Sequence, residues 1–414
     1  MCCAMTFGFL VAGTEPATGD ERMSPQVAAQ LGLEEVWVRH LFVPAGAQSI
    51  ADIQLIVHAA EPREYLELIE GAAGKPDTPG AKPKASKPET SAATAVPPAK
   101  VLSRIAIGST ATGAQGVSKT EAERLAGNEI RRLKRRGIEA TQRTIQVPRV
   151  HLYTLANDGT VDCRDAETGQ PLWRSSIGDP RLGFGKMGID DEFLTCVNGG
   201  NLIKVDVATG EQIESVRTNN VPAFGSVISG RYVLVPTIRN GIEGYPLDDP
   251  SDYPFTRMVE GMALAPPASA PGSTRVAWGT NRGFVYAMEL DGEPSILFRL
   301  NIDGMVHSPL AAINGDRFFF GSDNGQVYAL HATRMGKVLW SRPYSEPFYN
   351  SPIVFGNQVF LRSTFGSLYA LNMDDGFMTW PRVVPNVDEL IGIFGGNIYV
   401  RLFSGSFSVI DTET

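Results

Sequence analysis

Apolar residues along this chain recur with two periods. Residues 36–43 (VWVRHLFV), 50–57 (IADIQLIV) and 101–107 (VLSRIAI) are rich in β-branched and aromatic side chains and read as strands. Residues 62–69 (PREYLELI) read as a short helix. Ser24-Pro25 is an N-cap followed by proline at the first helical position, which starts a helix through Leu31 that Gly32 ends. The clearest helical period begins at Ser118. Ser118 and Glu121 form a capping box, Ala122, Leu125, Ala126, Ile130 and Leu133 make an apolar stripe, and Gly137 stops the helix.

From residue 138 onward the pattern becomes short apolar runs separated by turn residues. One marker is a turn ending in glycine: Asp165-Ala166-Glu167-Thr168-Gly169, Asp206-Val207-Ala208-Thr209-Gly210, Asp291-Gly292, Met335-Gly336 and Asp375-Gly376. These glycines are spaced by 41, 82, 44 and 40 residues. The doubled interval holds a degenerate copy at Tyr245-Pro246-Leu247-Asp248-Asp249, and Asp411-Thr412-Glu413-Thr414 begins another. A second marker lies between paired apolar runs: Asp158-Gly159, Asn198-Gly199, Asn240-Gly241, Arg282-Gly283, Asn324-Gly325, Phe365-Gly366 and Ser404-Gly405. Such pairs tolerate the positive φ of tight hairpins. The period of about 40 residues with four short strands per unit predicts a seven-bladed β-propeller of four-stranded blades. Its last unit shows three strands. Residues 143–147 are needed as the innermost strand of the first blade, so residues 101–107 are expected to close the last one. A rival arrangement places 36–43 and 50–57 in an eighth blade.

Composition divides the rest. Residues 71–100 hold six prolines and no aromatic residue, a linker too poor in apolar surface to order itself. The expected organisation is therefore a leader or signal segment at 1–22, a small α/β unit at 23–70, a disordered linker at 71–100, a strand plus basic amphipathic helix at 101–137, and the propeller at 138–414. Residues 1–149 carry 18 Lys+Arg against 16 Asp+Glu, and residues 150–414 carry 19 against 29. So acidic a body repels a phosphate backbone, which argues against nucleic acid as a partner. The apolar run at residues 1–13 is too short to span a bilayer and suits the core of a signal peptide, although it lacks a positive start. This points to the periplasm or cell envelope, with the cytoplasm as the alternative.

The pattern A-x-D-x-x-T-G-x-x-x-W, matched at Asp165, Thr168, Gly169 and Trp173, resembles the PQQ-like (quinoprotein-type) propeller repeat. Gly210 carries its turn, and Gly336 with Trp340 and Gly376 with Trp380 carry its second half. The resemblance implies that each tryptophan docks on the neighbouring blade and staples the ring. Glu214 and Ile296 stand at the tryptophan position of the second and fourth units, so stapling is not expected there. Family relatives include quinoprotein dehydrogenases, which hold their cofactor with a vicinal disulfide, a calcium ion and a catalytic Asp. They also include an envelope lipoprotein that helps assemble outer-membrane β-barrels.

The side chains carry little that reads as chemistry. The vicinal pair Cys2-Cys3 lies in the leader, and Cys163 and Cys196 take positions where sister units have small buried residues. A disulfide between neighbouring blades is their other reading. Asp190-Asp191, Asp248-Asp249 and Asp374-Asp375 lie at turns, where Asp is favoured by local hydrogen bonds. His307 and Ser308 are adjacent in a strand pattern and so point to opposite faces. The expectation is no catalytic residue, no metal site and no cofactor. Arg131, Arg132, Lys134, Arg135 and Arg136 crowd the last turns of the basic helix. They are either a contact for an anionic partner or a solvated face at the favourable end of the helix dipole. The sequence thus predicts a non-catalytic, protein-binding or assembly scaffold of the envelope. The alternatives are a PQQ-dependent oxidoreductase and a structural subunit of a larger envelope assembly.

Overall fold

The computed structural model describes residues 24–41, 49–70, 101–108, 116–248, 252–270, 272–313 and 316–413, with a strand at Phe9–Ala12. Apart from that strand, the expected leader lies outside the described residues, as does the expected linker at 71–100. In chain order the first elements are β1 (Phe9–Ala12), α1 (Pro25–Gln30), β2 (Val38–Leu41), β3 (Ile50–Glu70), β4 (Val101–Ile107), α2 (Lys119–Arg135), β5 (Ala140–Ala156), β6 (Thr160–Asp165) and β7 (Pro171–Ser176). Two compact units result. One contains Met1–Ala4 and Val57–Val150, the other Met5–Ile56 and His151–Thr414. The boundaries therefore differ from those read along the sequence. Residues 50–56 go with the second unit and 57–70 with the first, because one long strand supplies both. Residues 138–150 likewise belong to the first unit.

In the first unit, β4 runs antiparallel to β3, from Glu64 opposite Ile107 to Ile69 opposite Val101. Residues 62–69 are thus strand, not the expected helix. Tyr65, Leu66, Glu67 and Leu68 are all buried, so both faces of the strand are covered. Leu66 and Leu68 pack with Ala122, Ala126 and Leu133 of α2, while Tyr65 lies under the Arg104 guanidinium. The start of α2 is as the sequence predicts: Ser118 Oγ accepts from Glu121 N at 3.3 Å. The Glu121 carboxylate turns to Arg124 instead of back to the cap. Glu67 is buried and bound by Arg104 at 2.6 Å and Arg143 at 2.8 Å.

Apart from α1 and the parallel pair β1–β2, the second unit is built from consecutive antiparallel sheets. Strands β3, β5, β6 and β7 follow one another in the first sheet. Its first position is therefore filled from before residue 57, not by residues 143–147, and Asn157 N donates to Ser49 O at 2.6 Å. The second sheet holds β8 (Gly188–Ile189), β9 (Phe193–Asn198), β10 (Asn201–Asp206) and β11 (Gln212–Arg217). Then come β12 (Val227–Ser229), β13 (Tyr232–Thr237), β14 (Gly241–Pro246) and β15 (Phe255–Met258). The next holds β16 (Ala268–Ser269), β17 (Arg275–Gly279), β18 (Phe284–Glu289) and β19 (Ser295–Asn301). It is followed by β20 (Ala311–Ile313), β21 (Arg317–Gly321), β22 (Gln326–His331) and β23 (Lys337–Pro343). Two three-stranded sheets follow: β24 (Ile353–Phe355), β25 (Gln358–Arg362) and β26 (Leu368–Asn372), then β27 (Val387–Phe394), β28 (Asn397–Leu402) and β29 (Phe407–Asp411).

The first strands of neighbouring sheets lie side by side: β8 with β12, β16 with β20, and β20 with β24. Middle strands are covered on both faces, which is why their sequences are unbroken apolar runs. Phe318, Phe319 and Phe320 are all fully buried. In the sheet of β24–β26, Thr379 N bonds Ala370 O at 2.9 Å in place of a regular fourth strand. The sheet of β27–β29 has no fourth strand among the described residues. Residues 101–107, expected there, pair with β3 in the first unit.

Candidate functional site

The repeat residues of the second unit converge on one recurring contact. Asp165 Oδ1 accepts from Glu167 N, Thr168 N and Thr168 Oγ1 at 2.9–3.1 Å, which folds the turn and delivers Gly169 at φ +67°. Asp206 does the same for Thr209 at 2.7 and 2.9 Å, delivering Gly210. Positive φ excuses the missing side chain, and so does space. A Cβ on Gly210 would meet the Trp173 indole of the preceding sheet at 2.3 Å, and one on Gly376 would meet Trp340 at 2.4 Å. Each indole also donates to the carbonyl one residue past the strand. Trp173 Nε1 reaches Val207 O at 2.7 Å, Trp340 reaches Met373 O at 3.0 Å, and Trp380 reaches Thr412 O at 3.1 Å.

Four participants were not visible in the sequence. Trp37 lies on Gly169, whose Cβ would sit 2.4 Å from its ring, and donates to Ala166 O at 2.9 Å. Gly336 is covered by Phe298, at 2.6 Å from a would-be Cβ. Phe298, not Ile296, occupies the docking position of its sheet. It stands opposite Ala287 as Trp340 stands opposite Ala329, whereas Ile296 pairs with Met288 as Val338 pairs with Leu330; Gly292 lies two residues earlier in its turn than Gly336 does. Where Glu214 replaces tryptophan, Lys204 Nζ from the adjacent strand donates to Leu247 O instead. Beside it is a cavity of about 100 Å³ lined by Leu202, Lys204, Glu214, Val216, Val233 and Tyr245. Arg257 Nη2 bonds Pro294 O at 2.7 Å in the same inter-sheet sense.

At one end of this unit, the turns between second and third strands are tied to the linkers that enter their sheets. Gly199 N bonds Gly183 O at 2.9 Å, Ile238 N bonds Val221 O at 3.0 Å, and Asn281 N bonds Met262 O at 2.9 Å. The series continues with Asp323 N to Met305 O at 3.0 Å, Thr364 N to Pro347 O at 2.9 Å, and Phe403 N to Asn386 O at 3.0 Å. These same segments expose Leu182, Val221, Ile238, Tyr349, Phe365 and Phe403.

The remaining candidates sort out by their partners. Cys163 and Cys196 are free and buried, so no disulfide joins them, and burial pushes both thiols up to about 12. Asp190 Oδ1 caps its turn by accepting from Glu192 N and Phe193 N. Asp374 pairs with Arg317. His307 Nε2 lies 3.1 Å from Asp323 Oδ2 and its ring lies 4.6 Å from that of Tyr349. Among the described residues no group of three or more His, Cys, Asp or Glu is placed to hold a metal ion. Arg131, Arg132, Lys134, Arg135 and Arg136 are all exposed at the end of α2 in the first unit, away from the repeat contacts in sequence and in unit.

Comparison with known proteins follows the same geometry. Residues 269–412 match the PQQ_2 family model, described as outer membrane protein assembly factor BamB. The protein named outer membrane protein assembly factor BamB from Yersinia pestis is 22% identical over 269 residues, which cover 60% of this chain and 58% of that one. The match thus spans less than two thirds of that relative's length. The crystal structure of BamB from Moraxella catarrhalis is similar with a TM-score of 0.51 at 19% identity, over 64% of this chain and 80% of the other. The C-terminal WD40 domain of Sif2 is similar with a TM-score of 0.50 at 12% identity, over 63% of this chain and 78% of the other. These likenesses are likenesses of fold.

Proposed function

We propose that this protein, a chain of PQQ-like β-propeller repeats, is a non-catalytic scaffold of the bacterial cell envelope that holds a protein partner, in the manner its resemblance to assembly factors suggests. The second unit is read as seven blades. The seventh is β27–β29, and residues 32–41 take the outer place that β29 leaves open. Gly32, at φ +71°, precedes Trp37 as the turn glycines precede the other docking aromatics. The Asp and Thr of the repeat are spent on folding turns, and the tryptophans are spent on joining sheets.

One observation carries the reading: the tied end of the second unit, where exposed apolar side chains ride on linkers held by a repeated backbone hydrogen bond. Apolar groups left in water on a rigid frame mark a protein-binding surface. The defining experiment is capture of partners from solubilised envelope with the full chain, followed by reconstitution of a defined complex from purified components. Replacing Phe365 and Phe403 by Ser is expected to weaken that complex while leaving the unfolding midpoint in place. A stoichiometric bound quinone after reconstitution with quinone and calcium, accompanied by alcohol or sugar oxidation, would replace this reading with that of an oxidoreductase.

A further inference from the structure

The cationic end of α2 belongs to none of the contacts described so far. Five of the six residues from 131 to 136 are Arg or Lys, and all five are exposed. Arg131 leans back on Gly127 O and Asn128, and Arg132 lies 3.4 Å from Glu129. Lys134, Arg135 and Arg136 have no ion pair among the described residues. The apolar stripe of the helix is already used, since Ala122, Ala126 and Leu133 are buried in the first unit's own core. Nothing greasy is left on this end to insert anywhere.

Charge divides between the two units in the same sense. Residues 57–150 carry 16 Lys+Arg against 10 Asp+Glu, while 5–56 and 151–414 together carry 21 against 35. An anionic surface therefore attracts the first unit and repels the second. We infer that the C-terminal end of α2 is a docking site for the surface of an anionic lipid bilayer, held by charge alone. A lipid surface suits it better than a protein. Protein interfaces centre on a core of apolar and aromatic side chains, and this end offers cations with no apolar neighbour exposed on the helix. A negative bilayer needs only a cluster of about four to eight basic groups within a Debye length. No helix among the described residues is long and apolar enough to cross a membrane, so the contact is peripheral. The inference goes beyond the scaffold reading and stands without it.

The test is co-sedimentation of the full chain with vesicles of phosphatidylcholine alone and of equal parts phosphatidylcholine and phosphatidylglycerol. Binding is expected only to the second, and is expected to fall steeply as salt is raised. The variant carrying Lys134→Gln, Arg135→Gln and Arg136→Gln keeps helix propensity. It should bind roughly 100-fold more weakly, since each basic group near such a surface contributes about a five-fold affinity. The variant carrying Arg181→Gln, Arg239→Gln and Arg282→Gln loses the same charge from exposed sites of the second unit and should bind as the parent does. Matching unfolding midpoints establish that all three proteins are folded. Equal weakening by both variants, equal binding to both vesicles, or binding to polyglutamate but to neither vesicle would each overturn the inference, the last in favour of an acidic protein.

Discussion

Trp37 and Gly169 are 132 positions apart in the chain, yet the indole of one lies where the side chain of the other would be. The ring is 2.4 Å from an ideal Cβ on Gly169, and the indole N–H reaches Ala166 O at 2.9 Å. Trp173 on Gly210 reproduces both distances within 0.2 Å, at 2.3 and 2.7 Å. In that second case donor and acceptor belong to consecutive sheets of the repeat. A segment upstream of the repeat thus makes the contact that a preceding sheet's outer strand makes elsewhere. It does so on the first sheet of the repeat, which no earlier repeat sheet precedes among the described residues.

If residues 32–41 stand in for that outer strand, the second unit needs them. Trp37→Ala is expected to destabilise it by about 3–5 kcal/mol, the usual range for emptying a buried tryptophan site. Trp37→Phe keeps most of the ring and loses the donor, so a cost nearer 1 kcal/mol is expected from the hydrogen bond. Equilibrium urea unfolding, read by far-ultraviolet circular dichroism, gives both numbers. A Trp37→Ala midpoint equal to that of the parent would show that the segment is an ornament of the ring.

The sheets were legible because their markers are local. Asp165, Thr168 and Gly169 sit within five residues, and a glycine at positive φ announces a turn wherever it falls. What escaped was non-local or shifted. Residues 62–69 have helix-forming Glu and Leu in quantity, but Leu66 and Leu68 answer to a helix packed on one face of a strand, which tertiary contact alone decides. Phe298 escapes a count of four from the glycine because Gly292 lies two residues earlier in its turn than Gly336 does. If residues 32–41 complete the last sheet, Trp37 carries the motif's last residue without its first, since the Asp and Thr at the repeat's spacing are Asp411 and Thr414. The exposed apolar residues on the tied end, such as Phe365 and Phe403, look like core residues in the sequence. Only the topology puts them in water.

The sheet of β8–β11 offers a double-mutant test of the same contact. Lys204 stands opposite Glu214, just as Cys163 stands opposite Trp173 and Ala329 opposite Trp340. A small residue thus faces each indole, and here a lysine fills the gap and bonds Leu247 O. Lys204→Ala alone should cost about 1–2 kcal/mol, because a charged donor is lost to a partly buried carbonyl. Glu214→Trp alone should gain nothing, because the ammonium holds the acceptor. Together they should restore an indole beside the cavity, with a favourable coupling of about 1–3 kcal/mol. Additive effects of the two changes would mean that the cavity is not an indole site left empty.

In the first unit, Glu67 should set the acid limit. Burial by itself raises its pKa, but the hydrogen bonds and charges of Arg104 and Arg143 outweigh that and hold the carboxyl below its ordinary value of 4.5. A depressed carboxylate stabilises the fold fully above the unfolded value, and the contribution drains as pH falls through the folded one. Stability should therefore be flat from neutrality to about pH 5 and decline below it. Glu67→Gln should flatten that decline and cost about 2 kcal/mol at neutral pH, because both arginines can turn to water. Replacing Arg104 and Arg143 by Met strands the carboxylate, which should cost about 3–5 kcal/mol. It should also reverse the slope, since a raised pKa makes acid stabilising. Hydrogen exchange on residues 57–70 and 116–150 across pH 3–7 follows the unit directly, and an unchanged slope in the double variant would refute the account.

The thiols supply a readout of opening. Cys163 and Cys196 are fully buried in the first two repeat sheets, and burial pushes both pKa values to about 12, helped for Cys163 by the charge of Asp162 and opposed by its bond with Tyr153. At pH 8 a thiol with that pKa is about one part in ten thousand thiolate, and the thiolate is the species that reacts. Neither should react with a bulky aromatic disulfide in the native protein over the time that unfolded protein takes to react completely. Their rates should rise in parallel with the Trp37→Ala destabilisation, because each site must open to be reached. Cys163 is the more telling of the two. It lies opposite Trp173 in the sheet on which Trp37 docks, so loosening that indole should expose Cys163 before Cys196. Equal acceleration of both cysteines would mean that the ring opens as one body and that the Trp37 contact is not a local latch.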